Sequence, residues 1–316
     1  MNMTKFYNIG YKSRLLRSIY RKLFYKDKLQ ILLYPSFVCN YNCSYCYVKK
    51  GKLLEKFNKE YTGKEWSGRL NKFEPAAISV TGGETFLWSL REFLENIDKK
   101  HTVFVTSNLS WDVLKDIEWL KRIKNIKLSF SFHPEMIDVD TFIIKFKLVR
   151  NSGIFAIASI VAHPNTFPKL NEYVERFKKE GIPFDVQTYL SPDFKYSEKD
   201  KKMLIGYIKT YRNETFFDFD IEPKPKTCVA GQRYFFLSPN GDAYTCQAGF
   251  LIDNSELHKK WKKKKSIFFM GNIFDDTFKL KKIDVCRYPC SEYCDLVFAK
   301  PKLVGFCPNM LEAKRK

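Results

Sequence analysis

The sequence has no long hydrophobic run and no recognisable export signal. No apolar stretch approaches the ~18 residues that a membrane-spanning helix requires. The amino terminus lacks the uninterrupted apolar segment and small-residue cleavage site of a secretory signal. We therefore expect a cytoplasmic protein without a transmembrane segment.

Acidic residues are scarce relative to basic ones. The chain of 316 residues has 35 Asp and Glu against 55 Lys and Arg, a formal net charge of +20. Such a charge attracts polyanions or anionic surfaces, but a bias that places Lys on every solvated face explains it equally well. Hydrophobic content of 45% argues against disorder, and the length suits one large or two modest domains.

Residues 1–30 form the first of three predicted regions. Apolar residues recur there at helical spacing, with basic residues on the other side, which predicts a basic amphipathic helix. The helix could lie on an anionic membrane surface, receive an acidic leader peptide, or pack on its own domain. Its apolar residues are Leu15, Leu16, Ile19, Tyr20, Leu23 and Phe24.

Residues 31–213 alternate between strand and helix patterns. Six strands, each followed by a helix, predict a parallel α/β sheet that is either doubly wound or curved toward a barrel. The predicted strands are 31–38, 76–81, 102–107, 126–132, 154–162 and 183–190. The predicted helices are 60–72, 87–99, 111–122, 138–152, 168–181 and 197–213.

The pattern changes near residue 214, which predicts a second, small Cys-rich α+β domain over 214–316. Glu222–Lys226, with two prolines, reads as a linker. Six of the nine cysteines lie between 228 and 307. Because reducing compartments keep thiols free, the cysteines indicate metal binding rather than disulfides. We expect this region to be built on metal and not to continue the sheet.

Cys39, Cys43 and Cys46 form a CxxxCxxC loop directly after the first predicted strand. Three thiolates from one loop can bind an inorganic centre and leave one metal position open, although a zinc knuckle has similar spacing. With Tyr45 before its last cysteine, the loop resembles the signature of the radical S-adenosylmethionine (SAM) superfamily. The resemblance implies a partial (β/α)6 TIM-like barrel, and a [4Fe–4S] cluster whose open iron binds SAM.

The second predicted strand ends in the segment Thr81-Gly82-Gly83-Glu84. Glycines let the backbone approach a ligand closely, and a carboxylate can accept a hydrogen bond from an ammonium group. The segment resembles the GGE motif, which in the family holds the SAM amine, although Thr85 stands where the family usually has Pro.

Other strand ends supply further candidates for cofactor binding. Asn108 resembles the family's TN element near SAM. Ser129, Ser131 and His133 share the interior face of the fourth strand by their period of two, which suits ribose or carboxylate contacts or a water-covered polar face. Gln187 is a candidate by its position in the sixth strand, and Tyr45 by its place in the cysteine loop. The sequence identifies no catalytic acid or base.

The carboxy-terminal cysteines have a pattern of their own. A Pro-Asn-Gly-Asp turn predicts a hairpin over 237–246 that brings Cys246 beside Cys228. The spacing resembles that of SPASM and twitch modules, which implies one or two auxiliary [4Fe–4S] clusters, with zinc as the alternative. The expected ligands are Cys228, Cys246, Cys286, Cys290, Cys294 and Cys307.

The resemblance implies an oxidoreductase that reductively cleaves SAM to a 5′-deoxyadenosyl radical and abstracts hydrogen from a substrate. Its expected use is peptide maturation by thioether formation, carbon–carbon cross-linking or oxidation, with an electron donor such as flavodoxin or ferredoxin. Since no leader-binding domain of ~80 residues precedes Cys39, oxidation of a small-molecule or lipid-linked alcohol is the alternative. RNA modification and a non-enzymatic iron–sulfur or zinc protein are further possibilities.

Overall fold

The protein is described by a computed structural model that covers residues 29–189, 191–207, 230–262, 264, 266–275, 277–281 and 283. The predicted amino-terminal helix and the predicted linker at 222–226 lie outside the described residues. Five of the predicted auxiliary ligands also lie outside them: Cys228, Cys286, Cys290, Cys294 and Cys307.

The described part of the chain is organised around a nine-stranded sheet in the order β6-β5-β4-β3-β2-β1-β7-β8-β9. Strands β1 to β6 are parallel and adjacent in chain order. The strands are β1 Leu29–Leu33, β2 Ala76–Val80, β3 Thr102–Ser107, β4 Ile126–Phe132, β5 Ala156–Ala162, β6 Phe184–Thr188, β7 Tyr234–Leu237, β8 Asp242–Tyr244 and β9 Phe269–Asn272.

Helices follow the six parallel strands, and the last helix lies between the antiparallel strands β8 and β9. They are α1 Tyr47–Lys50, α2 Leu53–Lys56, α3 Gly63–Leu70, α4 Leu90–Asn96, α5 Val113–Leu120, α6 Val139–Asn151, α7 Leu170–Lys179, α8 Glu198–Tyr207 and α9 Gln247–Asn254. Side-chain caps fix several starts: Thr62 forms a capping box with Glu65, and Asp112 and Asp138 accept hydrogen bonds from first-turn amides.

The strand order explains the shape of this region. Because each successive strand is added on the same side and such crossovers share one hand, the connecting helices cover one face of the sheet. The architecture confirms the predicted α/β class and the partial (β/α)6 barrel. Six predicted helices and six predicted strands are present, with ends shifted by a few residues. The end of the predicted helix 197–213 lies outside the described residues.

The first strand is shorter and earlier than predicted. It covers Leu29–Leu33 rather than 31–38, because Pro35 has no amide hydrogen to pair. The residues that follow lie in a loop instead, where Ser36 and Val38 accept hydrogen bonds from Gly83 and Glu84 of the β2 end.

The expectation that the region past 213 does not continue the sheet is wrong. Strand β7 pairs with β1 in parallel, with Ile31 opposite Phe235. The predicted hairpin is confirmed: β7 and β8 are antiparallel, and Gly241 occupies its turn at φ +87°. A parallel neighbour at the free edge of β1 supplies partners for backbone groups that would otherwise remain unpaired.

Two apolar clusters form the core. The larger lies between the sheet and its helices, and includes Trp66, Phe93 and Phe130. The smaller packs β1, α1 and α2 against β7 and α9, and includes Phe236 and Phe250. The second cluster joins the cysteine loop to the carboxy-terminal strands.

Among the described residues, no helix is both long enough and apolar enough to cross a bilayer.

Candidate functional site

The three cysteines of the CxxxCxxC loop lie at the open end of the barrel, between β1 and α1. Cys46 caps α1, and its amide donates to the Cys43 carbonyl at 3.2 Å. Cys43 is buried, whereas Cys39 and Cys46 are partly exposed. Burial, together with the neighbouring Cys46 and Cys39 thiols, raises the pKa of Cys43 to about 12. The Cys43 thiol can therefore become a thiolate readily only beside a positive centre.

The donor set of the loop is three thiols. Thiolates bind both zinc and iron–sulfur clusters, so Cys39, Cys43 and Cys46 are chemically suited to the predicted cluster. In the described part of the chain, no three histidine, cysteine, aspartate or glutamate side chains converge as ligands of one metal ion.

Gly82 and Gly83 lie against the loop that leads to the cysteines. A Cβ on Gly82 would lie 2.4 Å from the Ser36 carbonyl oxygen, and one on Gly83 would lie 2.0 Å from that of Val38. Gly82 also has a φ of +128°, which disfavours other residues. The glycine pair therefore permits close contact between two segments of this chain, a role that the sequence did not indicate.

Glu84 is buried, with 2% of its surface exposed. Its carboxylate accepts hydrogen bonds from the Ser107 hydroxyl at 2.8 Å, the Asn108 amide at 2.6 Å and the Phe86 amide at 3.0 Å. Burial raises the pKa of Glu84, and these hydrogen bonds oppose that rise. Glu84 thus ties the end of β2 to the end of β3. Its predicted contact with the SAM amine stays a prediction.

Asn108 connects this carboxylate to the cysteine loop. Its side-chain Nδ2 lies 3.1 Å from Asn40 Oδ1 and 3.7 Å from Cys39 Sγ. Ser110 also donates to Asn40, at 3.2 Å. The predicted residues Cys39, Glu84 and Asn108 are therefore brought together by direct hydrogen bonds.

A lysine supports the loop that contains Asn108. Lys145 of α6 donates to the carbonyls of Leu109, Ser110 and Trp111 at 3.1, 3.3 and 2.9 Å. Leu109 has a φ of +61°, an unusual value for a non-glycine residue. One ammonium group thus stabilises a strained turn by satisfying three carbonyls.

Tyr45 lies between two histidines that follow β4 and β5. Its hydroxyl forms a 2.7 Å hydrogen bond with His133 Nδ1, and its ring centroid lies 5.8 Å from that of His133 and 5.0 Å from that of His163. Burial lowers the pKa of His133 to about 4, against the attraction of Glu135. His133 is therefore neutral at pH 7.

Glu135 provides a second connection to the cysteine loop. Its carboxylate accepts hydrogen bonds from the Ser44 amide at 2.8 Å, the Ser44 hydroxyl at 2.6 Å and Asn165 Nδ2 at 3.1 Å. The Glu135 side chain is exposed; the slight desolvation of its carboxylate raises its pKa, but these hydrogen bonds outweigh that effect and leave the pKa below its usual value. The carboxylate is ionised at neutral pH.

The interior face of the sheet carries the predicted hydroxyl row. Ser129 is buried, and Ser131 lies opposite Ser159 with their hydroxyls 3.4 Å apart. Gln187 of β6 lies opposite Val161 of β5 and is partly buried. The structure gives none of these three predicted residues a direct contact with the cysteines.

Cys246 is the cap of α9 and belongs to the smaller core cluster, against which Cys46 also packs. It is buried, and its sulfur accepts a hydrogen bond from the Gly249 amide at 3.2 Å. Its predicted role as an auxiliary-cluster ligand depends on cysteines outside the described residues and stays a prediction.

Sequence reasoning missed several polar residues at this end of the barrel. Each lies in the cysteine loop, in the helix after it, or just beyond a strand end, the positions where ligands bind in barrels of this kind. They lacked a motif, so only their place after a strand or cysteine could have drawn attention to them. They are Asn40, Ser44, Lys50, Glu135, His163 and Asn165.

Comparison with known protein families and with curated proteins finds no match. Among solved structures, SuiB of Streptococcus suis bound to S-adenosylmethionine is similar, with a TM-score of 0.54 and 17% identity over 79% of this chain and 67% of SuiB. SuiB bound to the precursor peptide SuiA gives a TM-score of 0.54 and 17% identity over 78% and 67%.

A second protein has the same fold. Native anSMEcpe with bound AdoMet and the Kp18Cys peptide is similar, with a TM-score of 0.51 and 16% identity over 79% of each chain. At these identities the likeness establishes the fold. The chain thus has the architecture of two proteins that bind S-adenosylmethionine.

Proposed function

We propose that this protein is a radical SAM enzyme that modifies a peptide. One observation carries the proposal: at a single end of the barrel, Gly83 and Glu84 donate to the carbonyls of Ser36 and Val38, directly before the CxxxCxxC loop, and Asn108 donates to the loop itself. In parallel α/β folds ligands bind at this end. The likeness to SuiB bound to S-adenosylmethionine supports the same cofactor.

In this proposal Cys39, Cys43 and Cys46 hold a [4Fe–4S] cluster. Bound there, the cluster would supply the one electron that cleaves SAM to methionine and a 5′-deoxyadenosyl radical able to abstract hydrogen from a substrate. The protein's part is to orient and shelter the cofactor. Tyr45 and the neutral His133 form one wall of the site.

The hydroxyl row and the β2 end complete the proposed cofactor site. Ser129, Ser131 and Gln187 line the interior face with groups suited to ribose or carboxylate. Gly82, Gly83 and Glu84 form its other side. The buried Glu84 carboxylate has donors from its own chain, and each carboxylate oxygen can accept more than one hydrogen bond.

We propose that auxiliary [4Fe–4S] clusters bind to the carboxy-terminal cysteines, as in a SPASM or twitch module over 214–316. Their role would be to accept an electron from the product radical, and a flavodoxin or ferredoxin would reduce the first cluster. These oxidoreductase steps suit a reducing cytoplasm, where thiols remain free to bind iron.

A peptide is the preferred substrate. The similar structures include SuiB bound to a precursor peptide and anSMEcpe bound to the Kp18Cys peptide. The net charge of +20 favours an acidic segment in such a peptide.

Anaerobic reconstitution with iron and sulfide, followed by dithionite and SAM, tests the proposal. The wild type is expected to form 5′-deoxyadenosine, measured by liquid chromatography. The triple variant Cys39→Ala, Cys43→Ala, Cys46→Ala is expected to form none. Asn42→Ala, at an exposed position in the same loop, is the matched control and is expected to retain the activity.

Iron content tests the auxiliary clusters separately. One auxiliary cluster gives about eight iron atoms per chain and two give about twelve. The triple variant is expected to lose about four of these. Loss of all iron from the triple variant would contradict separate cluster sites. In the activity assay, absence of 5′-deoxyadenosine from iron-loaded wild type would contradict radical SAM chemistry.

A further inference from the structure

The cysteine loop is attached to strand ends on the far side of the sheet. In the strand order, β2 and β3 separate β1 from β4. Yet Ser44 and Tyr45, between the second and third cysteines, contact residues that follow β4 and β5. The loop therefore crosses the open end of the barrel.

Glu135 makes the most connections in this crossing. Its two oxygens accept hydrogen bonds from the Ser44 amide and hydroxyl, at 2.8 and 2.6 Å. Asn165, after β5, donates to the same carboxylate at 3.1 Å. One side chain thus joins three segments: the cysteine loop, the β4 end and the β5 end.

These contacts act directly on the cysteines. Ser44 follows Cys43 in the chain, so fixing its amide fixes the peptide that connects to Cys43. The Cys43 carbonyl also accepts from the Cys46 amide at 3.2 Å. The position of two thiols therefore depends on the peptide that Glu135 holds.

The charge of Glu135 has a second effect. A carboxylate on an exposed side chain is ionised at neutral pH. Negative charge beside an iron–sulfur cluster disfavours addition of an electron, and nearby charge is among the factors that set cluster potentials.

We propose that Glu135 is a positioning residue for the iron–sulfur cluster. Its carboxylate holds the Cys43–Cys46 segment across the barrel opening, and its negative charge lowers the reduction potential of the cluster. The proposal rests on the proposed function, since it assumes a cluster on these cysteines. His133 and Asn165 assist, because each adds a hydrogen bond to the same crossing.

The reduction potential tests the effect of charge. In reconstituted protein, Glu135→Gln is expected to have a more positive midpoint potential than wild type in an EPR-monitored redox titration. Glu118→Gln, an exposed carboxylate on α5 that pairs with Lys121, is the matched control and is expected to match wild type. Equal potentials in wild type and Glu135→Gln would overturn the proposal.

Thiol accessibility in the apoprotein tests positioning without a cluster. The measured quantity is the ratio of the iodoacetamide labelling rates of Cys43 and Cys39, with the labelled sites located by mass spectrometry. Because Cys43 is buried, this ratio is expected to be several-fold higher in Glu135→Ala than in wild type. The control Glu118→Ala is expected to match wild type. An unchanged ratio would overturn the proposal. This measurement needs no iron, so it tests the positioning role independently of the cluster. A wild type that binds no cluster would refute the proposed function, whereas the labelling ratio would still show whether Glu135 holds the loop.

Discussion

At the scale of single residues, Glu84 has a structural role that its motif does not reveal. The sequence indicates a carboxylate that receives the amine of a cofactor. In the structure it lies 2% exposed and accepts hydrogen bonds from Phe86, Ser107 and Asn108. Ser107 also accepts from Trp111 Nε1 at 3.1 Å. Glu84 therefore anchors the β3 end whether or not a cofactor is bound.

Replacing Glu84 with Gln is expected to destabilise the apoprotein by about 1–3 kcal/mol, because one acceptor oxygen becomes an amide donor that faces donors in a buried site. Urea unfolding in the absence of iron and SAM measures this. Glu118→Gln on the protein surface is expected to change the free energy of unfolding by less than about 0.5 kcal/mol. A similarly small effect at Glu84 would contradict the anchoring role.

At the scale of elements, helix α3 contains two glycines with different surroundings. A Cβ on Gly63 would lie 2.3 Å from both the Ser89 carbonyl oxygen and the Phe93 amide nitrogen. One on Gly68 would have no atom within 4 Å. Gly63 therefore lets α3 approach the start of α4, whereas Gly68 contributes no contact of this kind.

Substituting each of these glycines with alanine should give effects of opposite sign. Gly63→Ala is expected to lower the free energy of unfolding by about 1–3 kcal/mol, because the backbone of α4 must move. Gly68→Ala is expected to raise it by about 0.5–1 kcal/mol, since alanine favours a helix interior. Urea denaturation of both variants compares them within one helix. Equal effects would show that the close approach at Gly63 does not determine helix packing.

At the scale of the whole molecule, β7 joins the carboxy-terminal strands to the barrel sheet. Its pairing with β1 places Phe236 in the smaller core cluster with Leu32, Val48 and Phe250. Phe130 lies in the larger cluster on the helix-covered side of the sheet. Since β1 contributes residues to both clusters, they are expected to unfold together.

Phe236→Ala and Phe130→Ala are each expected to cost about 3–5 kcal/mol, because both side chains are fully buried. Each should shift one common transition, followed by circular dichroism and by tryptophan fluorescence during urea unfolding. If Phe236→Ala instead produced a first unfolding transition at lower urea and left the main transition unchanged, strands β7 to β9 would unfold as an independent unit.

The alternation of strands and helices between 31 and 213 was predictable because it depends on local periodicity. The cysteine loop was predictable from its spacing, as was the Gly82-Gly83-Glu84 segment from its position after a strand. The end of β1 was misplaced, since its apolar pattern continues past Pro35 although its hydrogen bonds do not. The link between β1 and β7 had no local signal.

Proximity along the chain can be read from the residues alone: three thiols within eight positions and a glycine pair before a carboxylate. Which distant residues contact them depends on the fold. Glu135 and Ser44 are 91 positions apart, and their hydrogen bond exists because parallel strands place their carboxyl ends at one edge. Spacing and periodicity are properties of neighbouring residues, whereas contacts across the barrel opening depend on the order of strands in the sheet.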